Sequence, residues 1–275
     1  MARFLLVCCW MIVPASAAEL SVRLDVPYVE AGHARQRLDV YWEAGTEARR
    51  IVFWIHGGGW QTGDKSSVQV KPQAFVDRGC VFVSTNYRLL PEVTIREMAG
   101  DIAKGIAWVQ EHAEEFGGDP QRVFVMGHSA GAQLAALLCI DHRYLEAEGV
   151  SPTILRGCVP VDGDTFDVPM QIAAVEPRVG AIYARKFGEV AEQIELSAVT
   201  HVVAGKPIPP VLVLHIADHP FTPPQANRLV DALRAAGYEA RACAAEGKTH
   251  TSINADLGTP GDPSTRMIDE LLGGK

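Results

Sequence analysis

Gly127-His128-Ser129-Ala130-Gly131 follows the apolar run Val123-Phe124-Val125-Met126 and opens an Ala/Leu-rich stretch, Ala130 to Ile140. A serine flanked by small residues where a strand turns into a helix can occupy a sharp, strained turn, with its hydroxyl exposed at the strand's C-terminal edge. That placement suits nucleophilic attack, and Ser129 is the candidate nucleophile. A serine hydroxyl attacks poorly near neutral pH. It needs a base to take its proton, a carboxylate to orient the base, and donors to hold the oxyanion that forms.

Candidates for all three exist. Upstream, Ile51-Val52-Phe53-Trp54-Ile55 runs into His56-Gly57-Gly58-Gly59-Trp60. Three glycines in a row remove side-chain obstruction, so the N–H groups of Gly58 and Gly59 can approach a developing oxyanion, joined by that of Ala130. The glycines do not spell a phosphate-binding G-x-x-x-x-G-K-[S/T] loop. Trp60 beside them is placed to wall a substrate pocket, and His128 beside the nucleophile is grouped with it as substrate-binding.

With chain order Ser…Asp/Glu…His, the acid should follow a late strand. Val211 to His215 reads as such a strand, and Ile216-Ala217-Asp218 follows it, so Asp218 is the expected acid. Downstream of it lie only His219, which would have to fold back on its own neighbour, and His250, in the separate loop Glu246 to His250. His250 is the expected base. Asp162, Asp164 and Asp167 form a competing acidic cluster, read here as turn and cap chemistry. A metal reading of that cluster lacks the glutamate that closes an EF-hand loop and any His or Cys at fixed spacing.

These residues resemble those of serine esterases and lipases with the α/β-hydrolase fold and an HGGG-type oxyanion loop. Ser84 to Glu92 is similar to the D-Y-R-L-x-P-E stretch of lipase-like members, with Asn86 where aspartate is usual, and Gly117-Gly118-Asp119-Pro120 adds to the likeness. The pattern is most similar to bacterial acetyl and feruloyl esterases, with kynurenine formamidases as near relatives. The resemblance implies ester hydrolysis through Ser129, His250 and Asp218, with Gly58, Gly59 and Ala130 as oxyanion donors and no cofactor or metal. It also implies a small or polysaccharide-linked ester as substrate. An amidase using the same triad, and a non-catalytic binding protein, are the other readings.

The elements that must position these groups alternate as an α/β protein requires. Strands are expected near Leu20 to Val26, Arg37 to Trp42, Ile51, Val81, Val123, Leu155, Val211 and Glu239 to Ala244. Helices are expected near Val68 to Asp77, Glu97 to Phe116, Ala130 to Ile140 and Gln225 to Ala236. Continuous apolar strands between helices predict a mostly parallel sheet covered on both faces, in one domain over 20–273. Residues 165–209 break the βα period and are expected to roof the site, with Phe166, Tyr183 and Phe187 as possible pocket aromatics.

Of the 275 residues 48% are hydrophobic and the net charge is −8, which disfavours nucleic acid and anionic membranes as partners. Met1-Ala2-Arg3, the apolar Phe4 to Val13 and Pro14 to Ala18 read as a signal peptide cleaved near Ala17, predicting a secreted or periplasmic protein. No later segment has the roughly twenty apolar residues of a membrane span. Cys80, Cys139, Cys158 and Cys243 lie in or beside apolar segments and are expected to be buried free thiols.

Overall fold

Alternate side chains of the central strands point into two different cores, which is why those strands read as unbroken apolar runs. Ile51, Phe53 and Ile55 belong to one core with Val81, Val83, Val123 and Val125. Val52 and Trp54 belong to the other with Phe82, Phe124 and Met126. A strand buried on both faces has no polar phase to show.

The computed structural model describes residues 19–273; the expected signal peptide lies outside them. Among the described residues eight strands form one sheet: β1 (Leu20–Pro27), β2 (Arg37–Glu43), β3 (Arg49–Ile55), β4 (Cys80–Thr85), β5 (Gly118–His128), β6 (Leu155–Val161), β7 (Val211–Ile216) and β8 (Ala240–Ala245). Their order is β1-β2-β4-β3-β5-β6-β7-β8. β1 and β2 are antiparallel to their neighbours and the rest run parallel.

The helices are α1 (Lys71–Val76), α2 (Ile95–His112), α3 (Ala130–Ile140), α4 (Arg143–Ala147), α5 (Val168–Ala174), α6 (Pro177–Phe187), α7 (Val190–Glu195), α8 (Thr222–Ala235), α9 (Ser252–Ala255) and α10 (Pro263–Leu271). Residues from α2, α3 and α8 fill the first core; residues from α1, α9 and α10 fill the second. α2 starts at a capping box in which Thr94 and Glu97 satisfy each other's backbone N–H. α10 was not expected from the sequence. Asp262 caps it, Pro263 opens it, and it buries Ile268 against the second core.

Residues 165–209 hold α5, α6 and α7 with no strand between them. All four described cysteines are free, three of them buried. No helix among the described residues is long and apolar enough to cross a membrane.

Candidate active site

Strand register assembles the site. Ile55 at the end of β3 pairs with Gly127 of β5, which sets the glycine loop beside the serine turn. His128 at the end of β5 pairs with Val161 at the end of β6, so Ser129 and Asp162 leave the sheet side by side. The Ser129 N–H donates to the Val161 carbonyl at 2.9 Å, and that of Asp162 donates to Leu214 of β7 at 2.7 Å.

Ser129 adopts φ 56°, ψ −120°, a conformation that costs a non-glycine residue of order 1–3 kcal/mol. The flanking glycines make this turn possible. A Cβ on Gly127 would lie 2.2 Å from the Gly131 carbonyl oxygen, and one on Gly131 would lie 2.3 Å from that of Ile55. Backbone packs directly on backbone at both positions, which leaves no room for any side chain.

His250 joins the two ends. Its Nδ1–H donates to Asp162 Oδ2 at 2.6 Å, and its Nε2 lies 3.0 Å from Ser129 Oγ, placed to accept the hydroxyl proton. The hydrogen bond to Asp162 raises the His250 pKa above its ordinary value, against burial, which lowers it. Asp162 is 2% exposed. Burial pushes its pKa up, but the His250 ring and the Ile216 N–H, which donates to Oδ1 at 3.1 Å, outweigh it and hold the carboxyl below the usual range.

The carboxylate at the histidine is therefore Asp162, and the expectation of Asp218 is corrected. Asp218 is exposed in the turn beyond β7, whereas Asp162 directly follows β6, the strand hydrogen-bonded to the serine strand. Chain order could not separate them, since both precede His250. The missed signal was an aspartate directly terminating the strand after the serine helix. Within the cluster read as turn chemistry only Asp167 does that work, capping α5 by accepting from the Met170 N–H. Asp164 accepts from the Tyr183 hydroxyl and from Gln171.

His128 sits behind His250. Its ring lies 4.5 Å from that of His250, and its Nε2–H donates to the His250 carbonyl at 2.9 Å. Burial, aided by the neighbouring His250, lowers its pKa to about 4, so it is neutral near pH 7. His128, Asp162 and His250 offer three ligand atoms close enough to hold a cation. All three already face one another or the backbone in the hydrogen bonds just described.

A cavity of about 370 Å³ holds Ser129, Ala130, Gly59, Trp60 and His250 on one wall and Val179, Ile182, Tyr183 and Lys186 of α6 on another. As the first residue of α3, Ala130 has an N–H without an intrahelical acceptor. Gly58 lines a second cavity that shares Gly59, Ser129 and His250 and also contains His128. Gly58, Gly59 and Trp60 all have positive φ. The Trp60 ring packs edge-on to Phe187 at 4.9 Å, and its Nε1–H donates to Gln133. Phe166 and Phe187 are buried and do not line the cavity; Tyr183 does.

Sequence reasoning missed the support of the glycine loop. Arg35 donates to Tyr87 and Gly63 carbonyls, to Asn86 Oδ1 and to His56 Nε2, whose ring stacks on Tyr87 at 4.5 Å. Asn86 also accepts from the Lys65 N–H and donates to Asp64. An amide there both gives and accepts, which a carboxylate could not do beside Asp64.

Three comparisons bear on this geometry. A family model described as BD-FAE matches residues 38–158. Isoprenylcysteine alpha-carbonyl methylesterase ICME of Arabidopsis thaliana is 26% identical over 267 residues, covering 91% of this chain and 60% of the relative. The probable carboxylic ester hydrolase LipM of Mycobacterium tuberculosis is 30% identical over 225 residues, covering 76% of this chain and 51% of the relative. The chain thus spans between half and three fifths of the length of these relatives. The crystal structure of Esterase B from Lactobacillus rhamnosis superposes with a TM-score of 0.76 at 21% identity, over 93% of this chain and 87% of that one. The fold is that of the α/β-hydrolases. Ser129, Asp162 and His250 stand beyond the C-terminal ends of the strands, where open α/β sheets bind their ligands.

Proposed function

We propose that the chain is a serine carboxylic ester hydrolase acting on small acyl esters, of acetyl or feruloyl type, through Ser129, His250 and Asp162. The observation that carries this is the His250 imidazole, hydrogen-bonded on one side to a buried carboxylate and on the other within reach of a serine hydroxyl on a strained turn. The BD-FAE match and the esterase names of the relatives support it.

His250 takes the Ser129 proton as Oγ attacks the ester carbonyl. The oxyanion is held by the N–H groups of Gly58, Gly59 and Ala130, each such donor being worth about 10²–10³-fold in rate. The imidazolium, stabilised by Asp162, then protonates the leaving alcohol, and water releases the acyl group by the reverse sequence. Trp60 walls the pocket and α6 roofs it. The leader-like first 17 residues support a secreted or periplasmic site of action, where an ester on a polysaccharide is an accessible substrate.

The test is hydrolysis of 4-nitrophenyl esters from two to twelve acyl carbons, with methyl ferulate and acetylated xylan alongside. Activity should peak at short chains, and Ser129→Ala should lower it at least 10³-fold with the fold intact by circular dichroism. Turnover of 4-nitroacetanilide with silence on every ester would replace this reading by the amidase one.

A further inference from the structure

Two hydrogen-bond donors in the Ser129 cavity are not used by the catalytic groups. Lys186 of α6 gives one ammonium proton to the Gly59 carbonyl at 3.0 Å, and its Nζ lies 5.4 Å from the centre of the Trp60 ring. Its other two protons have no acceptor among the described residues. His219 also lines the cavity. Its Nδ1 accepts from the N–H groups of Phe221 and Thr222 at 3.2 and 3.1 Å, so the neutral ring carries its proton on Nε2. That proton too has no acceptor among the described residues.

The acid in the same wall does not use up these donors. Asp164 Oδ2 takes the Tyr183 hydroxyl at 2.5 Å and Gln171 Nε2 at 3.1 Å, and burial pushes the Asp164 pKa up. Asp164 acts on Lys186 and on His219 through its charge, but no carboxylate among the described residues lies within ion-pair distance of Lys186 Nζ, whose hydrogen bond goes to a carbonyl. Burial lowers the Lys186 pKa, an effect that an incoming anion would reverse.

We propose that this cavity is a subsite for a carboxylate carried by the substrate, held by Lys186 Nζ and the Nε2–H of His219. The preferred substrates are then small half-esters of dicarboxylic acids. This rests on the ester-hydrolase reading and adds the substrate's charge to it. A cavity of about 370 Å³ holds a molecule of that size, and the aliphatic side chains of Val179 and Ile182 can pack along its methylene chain.

Monoethyl succinate and ethyl butyrate have acyl chains of equal length and differ in a terminal carboxylate, so the ratio of their kcat/KM values reads recognition of that charge and cancels any general loss of activity. The ratio should fall about tenfold in Lys186→Met, mainly through KM, and recover in Lys186→Arg. Raising the salt concentration should lower the ratio in the unaltered protein. A ratio that stays within twofold in Lys186→Met, with ethyl butyrate still hydrolysed, overturns the subsite alone. Absence of turnover on both esters overturns the subsite when the 4-nitrophenyl esters are still hydrolysed, and overturns the ester-hydrolase reading itself when folded protein is silent on those as well.

Discussion

A carboxylate orients a catalytic imidazole only if it stays ionised where it is buried, and Asp162 has what that requires. Its Oδ1 accepts from the Ile216 N–H and its Oδ2 from His250, so both oxygens are occupied by donors before any substrate arrives. Asp162→Asn keeps the shape, removes the charge and favours the wrong imidazole tautomer, so kcat should fall about 10³–10⁴-fold. Asp218→Asn should change it less than about twofold, and a large loss there would restore Asp218 as the acid. The same pair controls the pH profile. The reaction needs neutral His250, whose pKa Asp162 raises, so kcat/KM should fall with decreasing pH along a limb lying above the ordinary histidine value. In Asp162→Asn the residual activity should show that limb moved to lower pH. At this scale Ser129 and His250 were legible because a hydroxyl between glycines and the last usable histidine leave few choices. The acid was not, because Asp162 and Asp218 both satisfied chain order, as other aspartates did, and the pairing of His128 with Val161 is what sets Asp162 beside the serine.

Elements position these residues through backbone contact rather than side-chain packing. The serine turn is pressed against the end of β3, and a Cβ on Gly131 would stand 2.3 Å from the Ile55 carbonyl oxygen and 2.6 Å from that of His56. Gly131→Ala should therefore push the elbow and the oxyanion loop apart, costing about 1–3 kcal/mol in stability and most of the activity. Gly100 provides the opposite sign. It lies within α2, and a Cβ there meets nothing within 4 Å, so Gly100→Ala should stabilise by about 0.5–1 kcal/mol through helix propensity and a less free unfolded chain. Chemical denaturation of the two variants checks both signs. The central parallel strands β3 to β7 could be read from their apolar runs because two-sided burial leaves no other pattern. α10 could not, since its start, Asp262-Pro263, looks equally like a turn and its buried apolar residues are few. α5 and α6 follow one another without a strand, so no βα period announced them.

Across the whole molecule, the segment that follows His250 is tied to α1, on the second core, by an unusual residue. Lys71 of α1 is fully buried beneath the Trp54 ring, its Nζ 4.8 Å from the ring centre, and it donates to the Asn254 carbonyl of α9, the helix that follows His250. A second bond runs to Gln69. Burial lowers its pKa to about 7 from 10.5. Below about pH 7 both the folded and the unfolded chain carry the proton, and the folded chain bears the full desolvation penalty. Between about 7 and 10.5 the unfolded chain binds more protons than the folded one, so this lysine makes stability rise with pH across that window. Lys71→Met cannot titrate. Whatever the offset between the two proteins at pH 7, the Tm of the unaltered chain should gain on that of Lys71→Met as pH rises to about 10, and a flat difference would mean that Lys71 is solvated in solution. The comparison also isolates Lys71 from the buried tyrosines, Tyr28 and Tyr87, whose raised pKa values lower stability at still higher pH in both proteins alike. If the gain appears, charging Lys71 below neutrality costs the folded state free energy beside the His250 loop, so acid acts there on stability as well as on His250 by protonation.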